Sequence, residues 1–87
     1  MAEKSEFQAK VLKEEQVLYD GPCGVLFVPD FTGKNEIAIL PYHTPIIALV
    51  GGGVVKIGAR ENPKVICEIK SGIIHFSDNR ATILVNT

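Results

Sequence analysis

The chain has 87 residues, of which 46 % are apolar and 22 % charged, with eight Gly and five Pro. At this length there is room for one compact domain, which buries roughly 60 to 65 % of the surface its unfolded form exposes, so two independent cores are excluded. Nine Lys and Arg against ten Asp and Glu give a formal charge of −1, which argues against a surface built to neutralise nucleic-acid phosphates.

Phe7 to Leu12 alternates Phe7, Ala9 and Val11 with Gln8, Lys10 and Leu12, the pattern of a half-buried strand. Lys13-Glu14-Glu15 is a charged turn. Val17 and Tyr19 open a second strand that ends at Asp20-Gly21-Pro22, which predicts a hairpin. Val25 to Val28 is continuously apolar up to Pro29, as expected of a strand covered on both faces. Asp30 to Asn35 is a loop.

Glu36 to Leu40 and Ile46 to Val50 are two further apolar runs separated by Pro41-Tyr42-His43-Thr44-Pro45, where two prolines forbid a central strand. Gly51-Gly52-Gly53 is expected to supply three successive positive-φ positions and a plain hairpin turn into Val54 to Ala59. A second hairpin is predicted at Arg60-Glu61-Asn62-Pro63. Lys64 to Lys70 then gives the clearest alternation in the chain, Val65, Cys67 and Ile69 against Lys64, Ile66, Glu68 and Lys70. Ser71-Gly72 turns into Ile73 to Phe76, Ser77-Asp78-Asn79 turns again, and Arg80 to Val85 closes the chain. Eight or nine short strands with tight turns predict an all-β meander folded into a sandwich or flattened barrel.

Chemistry-bearing residues are few. His43 with Glu36 is the one acid/base pair that proximity in sequence suggests, but no nucleophile elbow or second close His accompanies it. His75, between Ile74 and Phe76, reads as a core or edge histidine. Cys23 and Cys67 belong to no close Cys pair and read as two buried reduced thiols, a disulfide between them being the open alternative. With two His and no such pair, a metal site is not expected. Gly51-Gly52-Gly53 is followed by a strand pattern and not by the helix that a phosphate-cradling loop requires. No cofactor is expected. Aliphatics are in surplus, however: Leu12, Ile66, Leu84 and the doublets Ile46-Ile47 and Ile73-Ile74 put apolar groups on nominally exposed strand faces, either as a partner surface or as surface the sandwich covers itself. No run approaches the ~18 apolar residues of a spanning helix, and the N-terminus lacks a secretory-type segment.

Val28-Pro29, Gly33 and the run Glu36-Ile37-Ala38-Ile39-Leu40-Pro41-Tyr42-His43-Thr44-Pro45-Ile46-Ile47-Ala48-Leu49 resemble the signature of the epsilon subunit of rotary ATP synthases, called delta in mitochondria. The resemblance continues through Gly53 to Ile57, Ser71 to Phe76 and Asp78 to Val85, and so covers residues 7–87 after a flexible segment 1–6. It implies a flattened ten-stranded β-sandwich that performs no bond chemistry, binds the gamma subunit and the polar loops of the c-ring, and couples ion flow to ATP synthesis at the cytoplasmic face of a bacterial inner membrane, without inserting into it and without binding nucleic acid. Glu36, Tyr42 and His43 are the interface residues so implied. Asp30, Ala38 and Tyr42 stand where the family usually has Gly, so backbone angles reserved for Gly are expected to be relaxed there. The C-terminal helical hairpin usual in the family does not follow Thr87, which leaves either a short natural form or a piece of a longer chain. A small carrier module modified on a hairpin lysine, Lys34 or Lys56, is the alternative.

Overall fold

A computed structural model describes residues 6–59 and 62–87, and they form nine strands and no helix. The chain order is β1 (Phe7–Lys13), β2 (Gln16–Cys23), β3 (Val25–Pro29), β4 (Glu36–Ile39), β5 (Ile46–Val50), β6 (Gly53–Ala59), β7 (Asn62–Ile69), β8 (Ser71–Ser77) and β9 (Arg80–Asn86). Two sheets result, one in the order β2-β1-β9-β8-β5 and the other β4-β3-β6-β7, which makes the expected flattened sandwich, with nine strands among the described residues where ten were expected. The flexible segment foreseen for residues 1–6 falls, in its first five positions, outside the described residues, as do Arg60 and Glu61 of the foreseen hairpin. β6 and β7 on either side do pair antiparallel.

The chain crosses between the sheets four times: at Gly24, along 40–45, at Gly51-Gly52, and at Lys70. The first, third and fourth crossings correct the sequence reading, the last because Ser71-Gly72 is no turn but the start of β8. Asp20-Gly21-Pro22 is no turn; it lies inside β2, whose residues pair with β1 back to Phe7, so β2 and β3 form no hairpin. Pro22 is tolerated because β2 is an edge strand with a row of backbone groups outside the ladder. The three glycines likewise make a crossover from β5 to β6 and no hairpin, since those strands belong to different sheets.

Of the three, only Gly53 has positive φ, at 151°. Gly51 is required for space, because a Cβ there would stand 2.6 Å from the Phe31 carbonyl oxygen and 2.8 Å from that of Asp30, whose carbonyl accepts the Gly51 N–H at 2.8 Å. The same constraint governs Gly72 in the middle of the larger sheet. A Cβ would lie 2.6 Å from the Leu84 carbonyl oxygen and 3.0 Å from Val50 Cγ2. That oxygen belongs to a strand fixed on both sides and has nowhere to go, so Gly72→Ala is expected to cost about 1–3 kcal/mol. In a domain of this size the melting midpoint should fall by about 4–24 °C in a circular-dichroism melt, at roughly 4–8 °C per kcal/mol. An unshifted midpoint would mean that the two strands separate freely at this point.

The alternation in β1 is as read, with Phe7, Ala9 and Val11 buried. Val25, Leu26 and Val28 are buried in β3 and Phe27 half-buried. The strand that alternates most cleanly on paper, β7, is the one the structure interrupts: a bulge opposite Val55/Lys56 leaves Ile66 without a partner, so Val65 turns outward, 56 % exposed, while Ile69 is buried. The core between the sheets is apolar among the described residues, with Phe76, Leu26, Ile39, Ile74 and Ile83 its largest members and Cys23 its one thiol. Each such side chain contributes about 1.5–3 kcal/mol by burial.

Candidate interaction site

Pro41 to Pro45 connects β4 of the smaller sheet to β5 of the larger one. It therefore lies over an end of the sandwich, beside the β8–β9 turn and the start of β1. Tyr42 adopts φ 63°, so the left-handed angle natural to Gly is kept at this position, contrary to the expected relaxation; Asp30 and Ala38 do adopt ordinary angles. A Tyr held there is strained unless its surroundings fix it. Its N–H donates to Asn79 Oδ1 at 2.7 Å. The His43 N–H donates to the Leu40 carbonyl at 3.2 Å, closing the turn.

The Tyr42 side chain is 76 % exposed. His43 is half-buried, with its ring edge-on to Phe76 at 5.8 Å between centroids and 72° between planes. Its Nδ1 lies 2.7 Å from the Thr44 carbonyl, which can only accept, so Nδ1 carries a proton and Nε2 is the nitrogen left for a partner.

Glu36 stands at the opposite end of β4, about 10 Å along the strand from Ile39. Its carboxylate pairs with Lys56 Nζ at 2.8 Å, and Lys56 in turn lies 5.4 Å over the Phe27 ring. The structure thus joins Tyr42 and His43 but not Glu36 with His43, and no acid/base pair forms. An exposed ion pair of this kind contributes at most about 1 kcal/mol. Lys56 is in mid-strand and not on a hairpin turn, which removes it from the carrier alternative; Lys34 lies in the exposed loop after β3.

Among the described residues no three potential metal ligands gather. Both cysteines are free; Cys23 is buried and Cys67 half-buried, and burial pushes both thiols up, away from thiolate reactivity. His75 is an exposed outer-face residue and not a core one.

The largest feature is apolar. Leu12 pairs with Val17 and Leu84, Leu84 with Ile73, and Ile73 with Leu49. These five residues make a continuous row over the outer face of the larger sheet, one from each strand. Val17, Leu84 and Leu49 are 52, 49 and 66 % exposed, and Ile47 beside them 70 %. At the β5 end the row runs into an open groove of about 560 Å³ lined by Phe31, Leu49, Lys70, Ile73 and Leu84. Leu12, Leu84 and Ile73 were legible as surplus aliphatics, but Val17 and Leu49 were not, because only the register aligns them with the others.

The ATP synthase delta/epsilon chain β-sandwich domain matches residues 6–87. The chain belongs to this family. ATP synthase epsilon chains of Leptospira interrogans and Leptospira borgpetersenii are 32 and 35 % identical over 82 and 81 residues, covering 94 and 93 % of this chain and 62 and 61 % of theirs. That of Pediococcus pentosaceus is 31 % identical over the whole chain and 61 % of its own length. The delta/epsilon sandwich described here thus spans about three fifths of the curated relatives it matches. In solved structures the same fold occurs in the Euglena gracilis mitochondrial ATP synthase, in an assembly of OSCP, F1 and c-ring (TM-score 0.73, 12 % identity, 95 % of this chain and 52 % of that one). It occurs again in the central stalk and c-ring of the Tetrahymena thermophila enzyme (TM-score 0.70, 13 % identity, 99 and 67 %).

Proposed function

We propose that this domain is a non-catalytic rotor subunit of a proton- or sodium-translocating ATP synthase. It binds the gamma subunit and the polar loops of the c-ring and couples ion flow to ATP synthesis from the cytoplasmic face of a bacterial inner membrane. The observation that carries the proposal is the apolar row over the larger sheet in a chain of the delta/epsilon family, since contiguous exposed aliphatics favour a protein partner over a small substrate. The row supplies the desolvated centre of the gamma contact. Tyr42 and His43 supply a polar rim toward the ring, with Glu36 as a charged contact at the other end of β4.

Mixing the chain with a gamma–c-ring subassembly at micromolar concentration should give a co-eluting complex, and a chain that stays monomeric under those conditions overturns the proposal. Replacing Tyr42 and His43 together with Ala should weaken that complex about tenfold, the effect of about 1.4 kcal/mol. Far-UV circular dichroism should remain that of the parent, as expected of a loop change. Unfolding of the double variant would assign the two residues to the core instead.

A further inference from the structure

We infer that Asn79 is a positioning residue, a latch that sets the conformation in which Tyr42 and His43 meet their partner; the second half of this statement rests on the interface reading above. Asn79 is the second residue of the two-residue turn between β8 and β9, where Asp78 and Asn79 have φ 52° and 58°. Such a turn needs only residues that tolerate positive φ, and Gly, Asn or Asp serve equally. The side chain of Asn79 is therefore free for other work.

It joins two segments remote in sequence. Oδ1 accepts the Tyr42 N–H at 2.7 Å, and Nδ2 donates to the Glu6 carbonyl at 2.9 Å. The backbone adds a third tie, because the Asn79 carbonyl accepts the Gln8 N–H at 3.2 Å. The amide orientation is fixed by its partners, since reversing it would set donor against donor at Tyr42 and acceptor against acceptor at Glu6. Asp can make only the first bond and Gly neither.

The bond to Tyr42 falls at the point of greatest local strain. Tyr42 sits at φ 63°, next to two hinges of restricted geometry, Pro41 and the Leu40–His43 turn. Loss of Asn79 Oδ1 would leave that angle supported only by the short turn, and the chain would relax toward negative φ, swinging the Tyr42 ring and drawing His43 off Phe76. The rim of the interface is thus set by a residue that need not touch the partner.

The test compares Asn79→Gly and Asn79→Asp with the parent chain, by amide hydrogen exchange and by binding to the gamma–c-ring subassembly. Gly preserves the turn, so the Ile83 amide in β9 should keep its protection while the Tyr42 amide exchanges about tenfold faster, the ratio expected from one lost hydrogen bond. Affinity should drop by about the same factor. Asn79→Asp should fall between, keeping the Tyr42 anchor and losing the Glu6 tie. An unchanged Tyr42 exchange rate in Asn79→Gly overturns the latch. Faster exchange with unchanged affinity supports the latch and instead overturns the assignment of Tyr42 and His43 to the interface.

Discussion

Leu49→Glu combined with Leu84→Lys is expected to abolish assembly with the gamma subunit, lowering affinity at least about a hundredfold, while the isolated domain melts within a few degrees of the parent. A hundredfold loss corresponds to about 2.7 kcal/mol. Truncating a residue at an interface centre costs about 2 kcal/mol or more only at its few hot spots, but an unpaired charge placed against an apolar partner adds a desolvation penalty at each of the two positions. The fold should tolerate both changes because each side chain points outward from the larger sheet, 66 and 49 % exposed, and neither touches the core. The two strands concerned are separated by β8, so the new charges are not directly opposed.

The matching control is Val65→Lys on the smaller sheet, a residue 56 % exposed beside Lys56 on the opposite outer face. It should leave affinity within about threefold, since changes outside an interface centre are nearly neutral. Reversal of this pattern, with Val65→Lys disrupting assembly and the double variant binding normally, would transfer the partner to the other face.

The β class and most strand positions could be read from the sequence because a two-sided sandwich imposes period two, and Phe7-Ala9-Val11 or Ile74-Phe76 show it directly. Errors arose where a turn signal serves a different purpose. Asp20-Gly21-Pro22 runs along an edge strand whose outward groups need no partner, so its composition marks an edge and not a reversal. Gly51 is glycine for lack of room beside the Asp30 loop, a close approach between residues some twenty apart that no local pattern records. β7 misled in the opposite direction: alternation was perfect in composition, yet the bulged residue Ile66 puts Val65 on the face opposite to Ile69.

The proposed interaction site was legible to the extent that it is local. Tyr42 and His43 are neighbours between two prolines, and their loop was found by that signature. Glu36, grouped with them by sequence, proves to be tied to Lys56 away from them. Asn79 carried only a turn signal, and its bond to Tyr42 spans 37 positions. Aligning Val17 with Leu49 likewise required the register of all five strands.

Phe76→Ala is expected to give the largest loss of stability of any single change considered. The side chain is fully buried at the centre of the core, with Phe7 edge-on at 5.5 Å and 70°, and His43 edge-on at 5.8 Å. Removing a buried Phe costs about 3–5 kcal/mol through lost transfer energy and the cavity left behind, with aromatic edge contacts contributing about 0.5–1.5 kcal/mol of that order. A domain of this length has a total stability of about 4–13 kcal/mol, so the loss is a large fraction of it and the urea midpoint should be much reduced. Phe76→Leu keeps most of the volume and should cost less than about 2 kcal/mol, yet it removes the ring against which His43 stands. The two variants therefore separate packing from presentation. Phe7→Ala supplies the complement, since Phe7 borders the same ring but makes no stacking contact with His43: it should lower stability by somewhat less than Phe76→Ala and leave the His43 ring signals of the folded fraction near their parent positions. If Phe76→Leu left those signals unmoved as well, Phe76 would be core alone, and the end of the sandwich would hold His43 through the Thr44 and Leu40 hydrogen bonds without it.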